Sequence, residues 1–171
     1  MRPRRWACPT SRSGERSRPR RFAAVEHAAC TISCMLPLTD ESFDALLAAA
    51  RAAHQSAHAP YSNFAVGAAL LDEQGRIHGG CNIENAAYPQ GLCAEAVALG
   101  HLVLAGGRRI MAAAVVGEGA AVITPCGGCR QKLREFGADD MPVVAGDLHT
   151  LRARFTLGGL LPASFGPEHL T

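Results

Sequence analysis

The chain has 171 residues, of which 48% are hydrophobic, and this length and composition suit one domain with a substantial buried core. Residues 1–34 hold eight arginines and two glutamates, a net charge of +6, so the total of +2 leaves −4 for residues 35–171. The basic total therefore gives no reason to expect the folded part to bind nucleic acid. No apolar run approaches the roughly 20 residues of a membrane span.

Residues 1–35 are rich in Arg, Ser and Pro and are predicted to form a disordered extension, whereas residues 36–171 are predicted to form one domain. A basic arm that contacts nucleic acid or a membrane is one interpretation of the extension. A natural start at Met35 is the other, and native peptides from residues 1–34 would exclude it. The seven cysteines come without a secretory signal, so they predict no disulfide framework, and the cytoplasm is the expected compartment.

Helical periodicity recurs three times in the body of the chain. Thr39 or Asp40 is a suitable N-cap for a first amphipathic helix that runs to about His58. Two further helices are expected over residues 94–105 and 129–136, and glycine ends each of them.

Apolar runs between these helices predict strands. The predicted strands cover residues 64–71, 76–82, 110–116, 120–124 and 141–145. The apolar tail, residues 156–170, is expected to pack on the body. This alternation of elements predicts an α/β protein, a three-layer α/β/α sandwich with a mixed five-stranded sheet that opens with a hairpin.

Three cysteines are placed as metal ligands would be. Cys126 and Cys129 form a Cys-x-x-Cys pair, a spacing that suits either a redox dithiol or two ligands of one metal ion. Cys93 lies at the start of another predicted helix, and two helix N-termini directed at one place would offer N–H groups to three thiolates. Three protein ligands leave the fourth position of zinc open, as in catalytic sites. We therefore predict a zinc site, with three independent thiols as the alternative.

Glu95 follows Cys93 by two residues, so its side chain can approach the metal without binding it. In that place a carboxylate can carry a proton from water to a substrate, which contributes about 10²–10⁴-fold to a rate. A glutamate in the first turn of a helix also complements the helix dipole with no further role. The three cysteines favour the proton shuttle.

These motifs resemble those of a known family. The segments CAE at residues 93–95 and PCGGCRQ at 125–131 match the zinc nucleoside deaminase signature. The segments APYSNFAVGAAL from residue 59, GCNIENAAYP from 80 and LLPASFGPEHL from 160 extend the match. Residues 36–170 are similar to the short, homotetrameric cytidine deaminases. The resemblance implies one zinc ion per subunit and hydrolytic deamination of cytidine and 2′-deoxycytidine to uridine and 2′-deoxyuridine, in pyrimidine salvage.

The resemblance also implies which residues contact a nucleoside. Asn82 and Glu84 would hold the ribose hydroxyls, and Phe64 would stack near the pyrimidine. The backbone N–H of Ala94 would bond the base carbonyl, while Glu95 would address the ring nitrogen and the leaving amine.

Further site residues are implied to act between subunits. Ala86 and Tyr88 would reach into the site of a neighbouring subunit, and Phe165 would close the base pocket of another chain. The site would then be composite within a homotetramer. The expected partners are a small nucleoside and water, with no nucleic acid and no membrane.

One position departs from the family pattern. Many relatives carry Arg directly after Cys-Ala-Glu, where it hydrogen-bonds the ligand thiolates, whereas this chain has Ala96. Arg130 is a candidate substitute, or else a side chain that points to solvent. Deaminases of related cytosine nucleosides such as blasticidin S also lack the arginine, and such a substrate is the alternative.

Two other classes of function compete with a nucleoside deaminase. A non-catalytic zinc-binding module would need no free glutamate beside its ligands, and Glu95 argues against it. A polynucleotide deaminase would need a basic or aromatic surface around the site, whereas residues 35–171 are net acidic.

Overall fold

A computed structural model describes residues 38–170, so the predicted extension over residues 1–35 lies outside the described part of the chain. The helices are α1 (Asp40–His54), α2 (Ala94–Leu104), α3 (Gly127–Arg134) and α4 (Leu157–Leu160). The strands are β1 (Val66–Asp72), β2 (Ile77–Cys81), β3 (Ile110–Gly117), β4 (Pro142–Gly146) and β5 (Leu151–Thr156). No helix in this part of the chain is long and apolar enough to cross a membrane.

The strands form one sheet in the order β2-β1-β3-β4-β5. Strand β1 pairs antiparallel with both β2 and β3, β3 pairs parallel with β4, and β5 runs antiparallel to β4. The parallel pair is joined through α3, as a crossover connection requires. The predicted mixed five-stranded sheet with an opening hairpin is confirmed.

Two strand assignments differ from the prediction, although the count of five is right. The strand expected over residues 120–124 is wrong, because β1 and β4 already occupy both sides of β3 and leave no free edge for the segment that follows it. Strand β5 was not predicted. Its apolar and polar residues alternate, with Arg152 and Arg154 exposed, which is typical of an edge strand.

Helix α1 covers one face of the sheet. Thr39 is its N-cap and accepts a hydrogen bond from the backbone N–H of Ser42, which completes a capping box. The helix ends at His54 instead of the predicted His58, because the backbone of His58 pairs with the segment around Ile83. Its buried residues are Phe43, Leu46, Leu47 and Ala50, at the spacing of one helical face.

Helices α2, α3 and α4 cover the opposite face. Successive side chains of β3 point to opposite faces of the sheet. Ala113 and Val115 face α2, whereas Ala114 and Val116 face α1. Leu157, from the tail, is buried in the core on the α2 side. The three-layer arrangement is therefore the predicted one.

Helix α2 lies unusually close to the sheet at Gly80 in β2. A Cβ at Gly80 would overlap the backbone of Ala94 and Ala98, so only glycine permits this approach. A Cβ at the neighbouring Gly79, which faces α1, would meet the Cβ of Ala53 at an ordinary 3.5 Å.

The C-terminal end of α2 is fastened to the β1–β2 hairpin. Arg76 donates to the carbonyl of Ala105 (2.8 Å), and its Nε donates to Asp72 at 2.7 Å. Asp72 is 1% exposed and also accepts from Nε2 of His78 (2.8 Å). Burial alone raises the pKa of this carboxyl, but the hydrogen bonds from His78 and Arg76 outweigh it and lower the pKa of Asp72 to about 2.

Candidate active site

Both helices that carry the predicted ligands begin at a cysteine. Cys93 is the N-cap of α2 and Cys126 is the N-cap of α3, each with extended backbone, and neither side chain caps its own helix by a hydrogen bond. Helix α3 therefore starts at Gly127, two residues before the predicted start, and Cys129 lies in its first turn. Both helix N-termini direct their dipoles towards the cysteines.

The three sulfur atoms lie together. Sγ of Cys93 and Sγ of Cys126 are 3.8 Å apart, and all three sulfurs lie within 4.8 Å of one another. Zinc with Zn–S bonds of about 2.3 Å and tetrahedral geometry separates its sulfur ligands by about 3.8 Å. The cysteines therefore fit a zinc ion in spacing and in chemical type, and they form the one such ligand cluster among residues 38–170.

Two of the three thiols, Cys93 and Cys129, have raised pKa values and therefore resist ionisation. Burial raises the pKa of the Cys129 thiol far above its usual range, and the negative charge of Glu95 raises it further. Burial also raises the pKa of Cys93. At Cys126 burial acts in the same sense, but the N–H of Cys129 and the neighbouring thiols outweigh it, so that the pKa is lowered. A divalent cation would remove the repulsion that opposes three thiolates beside a carboxylate.

Glu95 lies in the first turn of α2 and is only 5% exposed. Its carboxylate lies near enough to Cys129 for its negative charge to act on that thiol. Glu95 thus sits beside the three sulfurs, nearly free of bulk water. A carboxylate in this place can exchange a proton with any molecule that enters the cluster from the cavity next to it.

A cavity of about 670 Å³ adjoins the cysteine cluster. Its walls come from four segments: residues 61–66, residues 82–92, the start of α2 and residues 115–126. Glu95, Cys93 and Cys126 are among the residues that line it. Aromatic and aliphatic side chains predominate, and a few amides, hydroxyls and carboxylates interrupt them, as in small-molecule sites.

Five of the residues predicted to contact substrate line this cavity, namely Phe64, Asn82, Glu84, Tyr88 and Ala94. The structure brings them together with the cysteines and Glu95. Their roles towards a nucleoside stay predictions.

Asn82 and Glu84 brace the wall that carries Phe64. Asn82 accepts from the N–H of Val66 (2.8 Å) and donates to the carbonyl of Phe64 (2.9 Å). Glu84 accepts from the N–H of Tyr61 (2.8 Å) and from the N–H and hydroxyl of Ser62. The Ser62 hydroxyl, followed by the Tyr61 N–H, lowers the pKa of Glu84. These hydrogen bonds of Asn82 and Glu84 were not predicted from the sequence.

Three predicted residues need separate description. Ala86 is exposed and lies outside this chain's cavity. Phe165, 56% exposed, also lies outside it and stacks on His169 at 5.0 Å. Tyr88 is 76% exposed at the rim, where its ring meets Tyr61 edge-on at 6.0 Å. Their predicted contribution to neighbouring subunits stays a prediction.

Other cavity residues were missed at the level of sequence. They include Tyr61, Ser62, Leu92, Ile123 and Thr124. Each lies within three residues of a predicted site residue, so proximity to the motifs was the available signal. Residues 120–124 were assigned to a strand, which concealed the contribution of Thr124.

Arg130 neither points to solvent nor repeats the contacts expected of the arginine that Ala96 replaces. Its guanidinium donates to the carbonyls of Pro125 and Leu160, each at 2.7 Å, and to the hydroxyl of Thr124 at 2.9 Å. All three acceptors are uncharged.

Comparison with known proteins agrees with this geometry. Residues 40–145 match the family model of the cytidine and deoxycytidylate deaminase zinc-binding region. The cytidine deaminase of Sporosarcina psychrophila is 44% identical over 126 residues, which cover 74% of this chain and 93% of that protein. The cytidine deaminase of Mycobacterium tuberculosis is 41% identical over 133 residues, 78% of this chain and 96% of that protein.

Solved structures show the same relationship. The crystal structure of cytidine deaminase from Burkholderia pseudomallei shares 46% identity at a TM-score of 0.67, covering 71% of this chain and 98% of that one. Cytidine deaminase from Mycobacterium leprae shares 39% identity at a TM-score of 0.62, covering 70% and 97%. With its cysteine cluster, its sheet and these matches along most of each relative, the chain belongs to the zinc-binding cytidine and deoxycytidylate deaminase family.

Proposed function

We propose that this protein hydrolytically deaminates cytidine and 2′-deoxycytidine to uridine and 2′-deoxyuridine. One zinc ion per subunit is held by Cys93, Cys126 and Cys129. The observation that carries the proposal is the position of Glu95, a buried carboxylate beside the cysteine cluster, in the wall of a cavity of about 670 Å³ that Cys93 and Cys126 also line. Relatives that match over most of their length are named cytidine deaminases, which supports the same activity here.

In the proposed reaction, bound zinc supplies the means to activate water for attack at C4 of the cytosine ring. Glu95 accepts a proton from that water and delivers it to N3. Glu95 then carries the second proton to the departing amine, so that ammonia leaves as the C4 carbonyl forms. One water molecule is consumed and one ammonia is released, and the carboxylate returns to its starting state.

The cavity wall orients the nucleoside in this proposal. Phe64 stacks near the pyrimidine, and the N–H of Ala94 bonds the base carbonyl. Asn82 and Glu84 hold the ribose hydroxyls, because an amide and a carboxylate each have more hydrogen-bonding positions than their contacts within the chain use. Their bracing contacts keep both groups rigid before substrate arrives.

The lining favours a nucleoside over a nucleotide such as deoxycytidylate. Among residues 38–170, no lysine, arginine or histidine lines the cavity. Glu84, whose pKa is lowered chiefly by the Ser62 hydroxyl, keeps a negative charge near the proposed sugar position. A phosphate group there would find no cation of this chain and would be repelled by the carboxylate.

We further propose a cytoplasmic homotetramer that serves pyrimidine salvage and has composite sites. Large apolar side chains that are exposed on the single chain support association, among them Tyr88, Leu104 and Phe165. In the proposed tetramer, Ala86 and Tyr88 approach a neighbour's site and Phe165 closes another. Zinc binding needs Cys93, Cys126 and Cys129 as free thiols, which the reducing cytoplasm maintains.

Turnover of five substrates by the zinc-loaded protein tests the function. The substrates are cytidine, 2′-deoxycytidine, deoxycytidylate, blasticidin S and a cytosine-containing oligonucleotide. We expect comparable turnover of the two nucleosides, followed by ultraviolet absorbance, and far less of deoxycytidylate and the oligonucleotide. Failure to deaminate cytidine, or faster deamination of another member of the panel, would refute the proposal.

A further inference from the structure

We infer that Arg130 is a positioning residue. It couples residues 124–126, which we call the ligand turn, to the C-terminal tail, residues 156–170. The inference rests on the zinc site of the proposed function and adds a connection from that site to a distant part of the chain. Arg130 itself contacts no reacting atom in this assignment. It acts through the turn that presents Cys126.

The first half of the connection is local. Nε of Arg130 donates to the carbonyl of Pro125 (2.7 Å), which belongs to the peptide group that enters Cys126. One terminal nitrogen donates to the hydroxyl of Thr124 (2.9 Å). Arg130 directly follows Cys129, so one side chain spans both ligands of α3 and holds the residues that precede the helix. Pro125 is fully buried, and movement there would displace the Cys126 sulfur.

The second half of the connection reaches the tail. The other terminal nitrogen of Arg130 donates to the carbonyl of Leu160 (2.7 Å). Two neighbours on α3 continue the attachment: Gln131 donates to the carbonyl of Phe165 (2.9 Å), and Arg134 donates to the hydroxyl of Ser164 (3.1 Å). Of these three side chains, Arg130 is the one whose hydrogen bonds reach both the ligand turn and the tail.

Arginine is the side chain that this arrangement needs. A planar guanidinium presents donors in a fixed fork, so three acceptors in different directions can be held at once. Lysine keeps the charge but concentrates its donors at one flexible point, and it cannot span the same three groups. If Arg130 acts by position, Arg130→Lys should therefore release zinc as fast as Arg130→Met does. If Arg130 supplies charge alone, Arg130→Lys should behave like the wild type.

Coupling between two sites acts in both directions. A docked tail holds Leu160 against Arg130 and thereby steadies the turn before Cys126, which slows the loss of zinc. Bound zinc in turn fixes the first turn of α3, from which the tail is held. Partners outside the ligand set of a metal typically change its affinity by about 10–100-fold when they are removed.

Zinc release measures the first direction. The zinc-loaded protein is mixed with excess chromogenic chelator in the absence of substrate. We expect Arg130→Met and Arg130→Lys to release zinc about 10–100-fold faster than the wild type. Lys132→Met is the matched control: Lys132 is exposed on the same helix, makes one long contact to the carbonyl of Gly128 (3.5 Å), and its loss should leave release unchanged.

Hydrogen exchange of peptides from residues 157–169, followed by mass spectrometry, measures the second direction. Removal of zinc should speed exchange of the tail in the wild type and in Lys132→Met. In Arg130→Met exchange should already be fast and should respond little to zinc. If Arg130→Met folds poorly, Thr124→Val removes one of the three acceptors without changing the charge, and it should accelerate zinc release less than Arg130→Met does.

The outcomes separate the possibilities. Wild-type zinc release in Arg130→Met and Thr124→Val would overturn the inference, and so would tail exchange that ignores zinc. Full rescue by Arg130→Lys would reduce Arg130 to a source of charge and also overturn it. Neither measurement uses turnover, so a protein that holds zinc in this way but does not deaminate cytidine would refute the proposed function alone.

Discussion

Helices α2 and α3 begin at cysteines on the same cavity, yet different forces hold them. Helix α2 buries Ala94, Glu95, Ala98 and Leu102 and lies close against the sheet at Gly80. Helix α3 buries only Cys129 and Leu133, and hydrogen bonds from its polar side chains fasten it to the tail. The helix that packs closely on the sheet carries Glu95, the buried carboxylate to which we assign the proton transfers. The polar helix carries two of the three proposed metal ligands.

Removal of one ligand should have the largest effect, because zinc binding needs the cysteines of both helices. Cys126→Ser should lose bound zinc and nearly all turnover, because two thiolates hold the ion far less well than three. Metal analysis after dialysis measures the zinc. Cys81→Ser, at a cysteine outside the cluster, should keep both zinc and activity. Stoichiometric zinc in Cys126→Ser would contradict the ligand assignment.

Glu95→Gln separates chemistry from metal binding on the α2 side. The amide is similar in size but cannot carry the proton, so turnover of cytidine should fall by at least about 10²–10⁴-fold while zinc stays bound. Steady-state kinetics and metal analysis are measured together. Glu41→Gln changes an exposed acidic residue in the first turn of α1 and serves as the control. Wild-type activity in Glu95→Gln would remove the proton shuttle from the mechanism.

Gly80→Ala tests whether close packing positions α2. The new methyl group would overlap the backbone of Ala94 and Ala98, so the helix must shift, at a loss of about 1–3 kcal/mol in the free energy of unfolding. Gly79→Ala places the same methyl group on the opposite face, where the nearest atom is 3.5 Å away. Urea unfolding of the two variants should differ clearly. Equal stability would mean that α2 is not held at this point.

Low pH should weaken the attachment of the C-terminal end of α2 to the β1–β2 hairpin, because Asp72 holds Arg76, which bonds the carbonyl of Ala105. The pKa of Asp72 is lowered to about 2 in the folded protein from an ordinary 3.8, so its stabilisation is present above about pH 4 and is lost as the pH falls towards 2. The full effect is about 2 kcal/mol. Asp72→Asn should be less stable than the wild type at pH 6, and the difference should shrink below pH 4. Unfolding measured across this range checks the slope, and a constant difference would contradict it.

Much of the fold was accessible from sequence, because apolar periodicity marks burial directly. It located α1, α2, β1, β2 and β3 to within a few residues. Periodicity failed at residues 120–124, where an apolar run had no free strand to pair with. It also failed at β5, whose arginines interrupt the apolar residues and leave no continuous apolar run. Both errors concern competition for places at the sheet, which depends on contacts remote in sequence.

The candidate site was accessible for a different reason. Cysteines spaced for one metal, followed by a glutamate, restrict the chemistry before any fold is known. The contacts that hold the site were not accessible. The hydrogen bonds that Arg130 donates to Leu160 and that Tyr61 donates to Glu84 join residues 30 and 23 positions apart, and no local pattern signals them.

The cysteine cluster has a consequence for the lifetime of the folded chain. A zinc ion bound to Cys93 and Cys126 closes a loop between residues 33 positions apart, and that loop contains α2 and β3. The N-termini of α2 and α3 can then separate only after a metal–sulfur bond breaks. Zinc held by both cysteines would therefore act as a cross-link that resists local opening, and the zinc-loaded protein is expected to survive heating for longer than the same chain stripped of metal.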